Sequence, residues 1–97
     1  MRSNNSLLPF AFAMLATSAA WAQTPLPACV TQEEKTYQCA YEQFYAYELR
    51  RRNRVPGLTL TQVQQSVKAT CDCSGTICGT AQIDANRRPR LYPACKL

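Results

Sequence analysis

The sequence predicts a small all-α, disulfide-rich fold: an antiparallel helical hairpin over about 31–53 and 60–72, followed by an irregular, cysteine-stapled C-terminal tail. Three observations predict it. Two stretches have the form of helix capping boxes, a Val-Pro-Gly stop separates two helical rhythms, and six cysteines crowd a short chain.

The N-terminus sets the redox compartment. Arg2 supplies a short positive region, Leu7–Ala20 an uncharged, largely apolar run of 14 residues, and Ala20-Trp21-Ala22 a small-x-small cleavage pattern. Residues 1–22 therefore read as a cleaved secretory signal peptide, and 23–97 as a single disulfide-stabilised helical domain starting at Gln23. A membrane anchor would need roughly 18 or more apolar residues, and Pro9 interrupts a run that is already short. No later segment is long and apolar enough to span a bilayer. Leu26-Pro27-Ala28-Cys29 loosely resembles the lipobox of bacterial lipoproteins, but it lies well beyond the apolar run. Lipidation of Cys29 would also leave an odd number of cysteines.

The mature chain has 97 − 22 = 75 residues. So short a domain buries a limited share of its apolar surface, and cross-links then carry much of its net stability. Cys29, Cys39, Cys71, Cys73, Cys78 and Cys95 all lie in this part, and in an exported chain they read as three bridges. No cofactor is expected, and no metal: there is no His, and Cys71-Asp72-Cys73 is too tight for a zinc knuckle.

The first helix starts at Thr31-Gln32-Glu33-Glu34, where the Thr hydroxyl can accept from the Glu34 amide and the Glu34 carboxylate can reach back to the amide of Thr31. Glu33 and Glu34 suit the positive end of the helix dipole; Arg50, Arg51 and Arg52 suit the negative end. Val55-Pro56-Gly57 stops it. Thr59-Leu60-Thr61-Gln62 repeats the box, and Leu60, Val63, Val67 and Cys71 recur at three- and four-residue steps as one apolar stripe. Folding the arms about Pro56 brings Cys39 level with Cys71 and Cys73. Cys29 and Cys39 cannot pair along one helix, because ten residues at 1.5 Å separate them by about 15 Å, beyond the roughly 7 Å a bridge allows. The preferred set is Cys39–Cys71, Cys29–Cys78 and Cys73–Cys95. Beyond Ser74, Gly, Pro and Asn prevail, and Pro89 and Pro93 argue against a long third helix.

Two groups of side chains stand out as candidate contacts. Tyr37, Tyr41, Phe44, Tyr45 and Tyr47 help give the first helix an apolar arc of roughly 200°, wider than the second helix can cover. The tail, through Ile77, Ile83, Leu91 and Tyr92, is expected to cover the rest, with Tyr41 and Tyr45 at its edge available to a partner. Arg50, Arg51, Arg52 and Arg54 form one basic cluster and Arg87, Arg88 and Arg90 another, in a mature chain of net charge 10 − 6 = +4. Guanidinium forks suit phosphate, carboxylate or an anionic headgroup; nucleic acid is not expected in an exported chain.

Catalysis has little to stand on. Without His there is no ordinary Ser-His-Asp or Cys-His arrangement, and Asp72 and Asp84 are the only acids free of the helix ends and the aromatic helix. The function expected is a periplasmic or secreted, non-catalytic binding protein that presents Tyr and Arg to another exported or envelope protein or to an anionic ligand, as an inhibitor or a secretion accessory. A secreted effector or toxin-like antimicrobial protein acting on membranes or foreign cells is the alternative, and a structural subunit of an oligomer a third. The exported protein should begin at Gln23 and weigh six hydrogens less than its reduced form. Intact mass spectrometry checks both, and free thiols after denaturation would count against three bridges.

Overall fold

The computed structural model describes residues 25–73 and 75–97. The leader assigned to residues 1–22 lies outside the described residues. Among the described residues there are three helices and no strand: α1 (Gln32–Arg52), α2 (Leu60–Thr70) and α3 (Ile77–Asn86). No helix among them is long and apolar enough to cross a membrane.

Both capping boxes form. The Thr31 hydroxyl accepts from Glu34 N (3.1 Å) while Glu34 Oε1 accepts from Thr31 N (2.8 Å). The amides of Thr31 and Val30 hold the Glu34 carboxyl below the usual carboxylate range. Thr59 and Gln62 repeat the exchange at the start of α2. The far end of α1 closes as a Schellman motif: Val55 N donates to Arg50 O (2.9 Å) and Arg54 N to Arg51 O (3.2 Å). Its left-handed position is Arg54, at φ 55°, where glycine is the usual occupant. Gly57 has another task. A Cβ there would lie 2.7 Å from Nε of Arg50, whose Nη2 donates to Pro56 O across the turn.

The C-terminal region departs from expectation. It is not irregular throughout: Ile77–Asn86 is helical, and α1 packs chiefly against this helix, with a smaller seam against α2. The local signal for α3 is weak. Its N-cap Thr76 makes no side-chain capping bond, and Gly79 costs a helix interior about 1 kcal/mol relative to Ala. Tertiary packing overrides this. Ala81 and Ala85, both buried, bring the α3 backbone close to Tyr37, Ala40 and Phe44 of α1. Ile83 and Leu91, expected to cover the aromatic arc, are instead exposed at 51% and 52%. Ile77 and Tyr92 do pack against the core.

α3 begins beside the first turns of α1, where Ile77 shares a cleft with Gln32 and Thr36. It ends beside the last turn of α1, where Arg52 Nη2 donates to Asn86 O (2.7 Å). The tail then returns to the start of α1. There Cys29 N donates to Lys96 O (2.9 Å) and Lys96 N to Pro27 O (2.7 Å).

This path sets the disulfides. Cys39 pairs with Cys71 as expected, but Cys29 pairs with Cys95 and Cys73 with Cys78. The expected Cys29–Cys78 and Cys73–Cys95 bridges are thereby corrected. The returning tail delivers Cys95, not Cys78, to the chain start, and the onset of α3 at Ile77 sets Cys78 beside the loop it follows. The three Cα separations, 4.9, 5.6 and 5.9 Å, lie inside the range that disulfides occupy.

The bridges span 66, 32 and 5 residues of sequence. Loop-closure entropy then ranks them at about 4.3, 3.7 and 2 kcal/mol. Replacing Cys29 and Cys95 together by Ser should lower the urea unfolding free energy about twice as much as replacing Cys73 and Cys78. Equal losses would contradict the ranking.

Candidate functional site

Tyr37, Tyr41 and Tyr45 stand one helical turn apart on α1, so their rings form a ladder. Ring centroids lie 5.8 Å apart at each step, and the Tyr41 and Tyr45 planes differ by only 11°. Burial falls along the ladder. Tyr37 is fully buried, Tyr41 half-buried and Tyr45 41% exposed.

Tyr37 is a hub. Its hydroxyl donates to Asp84 Oδ2 on α3 (2.7 Å) and accepts from Leu91 N on the tail (2.9 Å), while Leu91 N also reaches Asp84 Oδ2 (3.2 Å). The edge of Tyr92 meets its ring at 5.4 Å. Asp84, read from sequence as a free acid, is thus a buried acceptor tying α3 and the tail to α1. Gln38, also buried, does the same one residue on. Its Oε1 accepts from Arg90 Nη2 (2.5 Å) and Cys95 N (3.3 Å), and its Nε2 donates to Glu42 (2.6 Å). Sequence reasoning missed Gln38 as well. What ties them across the fold are partners more than forty positions away, Tyr37 for Asp84 and Arg90 and Cys95 for Gln38, and nothing local in the sequence marks such pairs.

The seven arginines singled out from the sequence divide into two kinds. Arg90 is committed to the tail: its guanidinium lies 4.0 Å from the Tyr41 ring centroid, and its Nε donates to Tyr92 O (2.9 Å). Such a cation–π contact contributes about 0.5–2 kcal/mol according to its desolvation. It also covers the face Tyr41 was expected to offer. Arg51 grips the buried Glu48 through Nε and Nη2 (3.0 and 2.8 Å). Arg50 and Arg52 hold the carbonyls of Pro56 and Asn86. Arg54, Arg87 and Arg88 are exposed, and among the described residues their side chains make no hydrogen bond or ion pair.

The fold gathers six of these cations at one pole. The Arg52–Asn86 bond sets the end of α3 beside the end of α1, so that Arg87 and Arg88 emerge next to Arg50–Arg54. A cleft of about 340 Å³ opens there, walled by Leu60, Ile83, Glu48, Arg87 and Arg88. Among the described residues Glu48 is the single acid lining it, and Arg51 pairs with it. A second, more apolar groove of about 410 Å³ runs between α1 and α2 past Ala46, Tyr47, Leu58 and Val63. Chemically, the pole suits recognition of phosphate or carboxylate groups, which planar guanidinium groups bind in bidentate fashion. Comparison with protein-family models, curated proteins and solved structures returns no match to this chain.

Burial, and then the bond to Asp84, push the Tyr37 hydroxyl up to about 12, whereas an unfolded tyrosine ionises near 10. The folded chain therefore keeps a proton that the unfolded chain has lost. Its contribution is full below about pH 10 and drains away as pH rises from about 10 to about 12. Tyr37→Phe should abolish this alkaline loss and cost about 1–3 kcal/mol at neutral pH, because Asp84 loses its shorter donor and Leu91 N one acceptor. Denaturant midpoints of both proteins against pH check it; parallel curves would contradict it.

Proposed function

We propose that the chain is an exported, non-catalytic binding protein, periplasmic or secreted, whose arginine pole docks onto an acidic macromolecular partner of the same compartment. Export is supported by the leader pattern of residues 1–22 and by cysteines that are all paired among the described residues. In this reading α1 and α2 form the antiparallel hairpin frame. Support comes from Cys39–Cys71 and from Gln43, which bonds Ser66 and Thr70 across the two helices.

One observation carries the reading. Arg54, Arg87 and Arg88 lie exposed at the ends of α1 and α3 with no side-chain bond among the described residues, while Arg50, Arg51 and Arg52 hold Pro56 O, Glu48 and Asn86 O. Arg54 strengthens the point. An L-residue in the left-handed region costs about 1–2 kcal/mol, and a glycine there would avoid that at a smaller entropic cost. Retaining arginine trades stability for an exposed guanidinium. Tyr45, exposed beside the Arg90-capped Tyr41, supplies a flanking aromatic contact.

The test uses immobilised mature protein and the native envelope fraction. Wild type should retain an acidic partner in a salt-sensitive manner. Arg54→Gly should raise stability by about 0.5–1 kcal/mol and still weaken capture. Combined Arg54→Ser, Arg87→Ser and Arg88→Ser should lose the partner with the unfolding midpoint held. Unchanged capture by the triple variant sinks the proposal, and leakage of anionic vesicles at low protein concentration would favour a membrane-active effector instead.

A further inference from the structure

The three bridges are not equivalent. Cys29–Cys95 and Cys39–Cys71 each join distant parts of the chain, whereas Cys73–Cys78 spans a sequence separation of 5 and joins α3 only to the loop before it. Cutting it frees no element from the core. Cys29, Cys95 and Cys71 are buried, so each of the other two bridges has at least one shielded sulfur. Cys73 and Cys78 are both half-exposed.

The surroundings of this pair favour thiolate chemistry on one side. Cys78 is the second residue of α3, whose first-turn amides receive no side-chain cap from Thr76. First-turn amides at a helix start stabilise a nearby anion. A cleft of about 180 Å³ opens beside Cys73 and Cys78, floored by Phe44 and Val67 and flanked by Gly79, and among the described residues Lys68 is the one charged side chain lining it. Asp72, adjacent to Cys73 in sequence, lines a different cleft beside Ile77, together with Glu33 of α1. An apolar floor, a cation and a residue without a side chain give a thiol a way in.

We propose that Cys73–Cys78 is an exchangeable disulfide, opened by a dithiol through this cleft while Cys29–Cys95 and Cys39–Cys71 stay closed. One thiolate of the dithiol bonds to Cys73 Sγ. The Cys73–Cys78 bond breaks, and its electron pair leaves on Cys78 Sγ, beside the α3 amides and Lys68. The second thiol gives its proton to solvent and attacks the first sulfur of the dithiol. Cys73 departs as a thiolate, and the dithiol leaves as a disulfide. The incoming reagent is oxidised by two electrons and the Cys73/Cys78 pair is reduced by two. The start of α3 thereby becomes a redox-sensitive element on a frame that keeps its two long-range bridges.

The experiment titrates the oxidised mature protein with dithiothreitol, traps thiols with iodoacetamide in native buffer, and locates the label by peptide mass mapping. Cys73 and Cys78 should be labelled at reductant concentrations that leave the other four cysteines unlabelled, with helical circular dichroism retained. Opening of either other bridge at the same or lower concentration overturns the proposal. In the selectively reduced protein, the pH profile of Cys78 alkylation should have its midpoint below about 7.5, moving upward in Lys68→Met. A midpoint at or above the free-thiol value of about 8.5 overturns the leaving-group assignment. Glutathione, which lacks the second thiol, should be trapped as a mixed disulfide on Cys73; its appearance on Cys78 reverses the direction of attack and contradicts the mechanism.

Discussion

Cys29–Cys95 ties the residues ahead of α1 to the end of the chain, and the placement of nearly everything after α3 follows from that closure. Because Cys95 is held beside the first turns of α1, the returning tail must pass over the tyrosine face. That passage puts Leu91 N on Tyr37, Arg90 over Tyr41 and Cys95 N on Gln38. The core itself is small. It joins Tyr37, Ala40 and Phe44 of α1 to Val63 and Val67 of α2 and to Ala81 and Ala85 of α3, with Cys71 at its edge. Alanines let backbones approach but bury little area, and among the described residues Tyr37 and Val67 are the large side chains that are wholly enclosed. Covalent closure supplies order that so modest an interior cannot supply alone.

Polar groups in this molecule are divided between holding and presenting. Asp84, Gln38 and Glu48 are buried, and each has a donor aimed at it: a tyrosine hydroxyl, a guanidinium with a backbone amide, and a second guanidinium. A buried acceptor left unmet costs more than a bond made, so these pairings restrict how α3 and the tail can sit on α1. Of the arginines that serve them, Arg90 is half-buried and Arg51 keeps its side chain 53% exposed. Of the seven arginines in the two basic clusters, Arg54, Arg87 and Arg88 make no side-chain hydrogen bond or ion pair among the described residues, and Tyr45 is the exposed outer rung of the ladder.

Features governed by local chemistry were legible in the sequence. The helix starts at Thr31 and Thr59, the charge bias at the two ends of α1 and the stripe Leu60, Val63, Val67 and Cys71 are all determined within one or two turns. Arm length brought Cys39 level with Cys71 and Cys73 alike, and the place of Cys71 on the apolar stripe favoured the pairing that forms. Helix α3 was not legible, since Gly79 and an uncapped Thr76 hide a helix that exists because Ala81 and Ala85 fit against α1. The pairings of Cys29 and Cys73 were misread for the same reason: they depend on where α3 begins and where the tail goes. The arginine pole was read as two separate clusters, because their union depends on Arg52 meeting the end of α3.

The central claim is that oxidised sulfur, more than buried hydrocarbon, fixes the tail and α3 on α1. Near-ultraviolet circular dichroism of the tyrosines, before and after complete reduction under native conditions, tests it most directly, since that signal reports rings held in fixed surroundings. The account predicts that the signal collapses when all three bridges are opened, leaving at most residual helix in the far ultraviolet. An unchanged tyrosine spectrum and a cooperative unfolding transition in the fully reduced chain would contradict it.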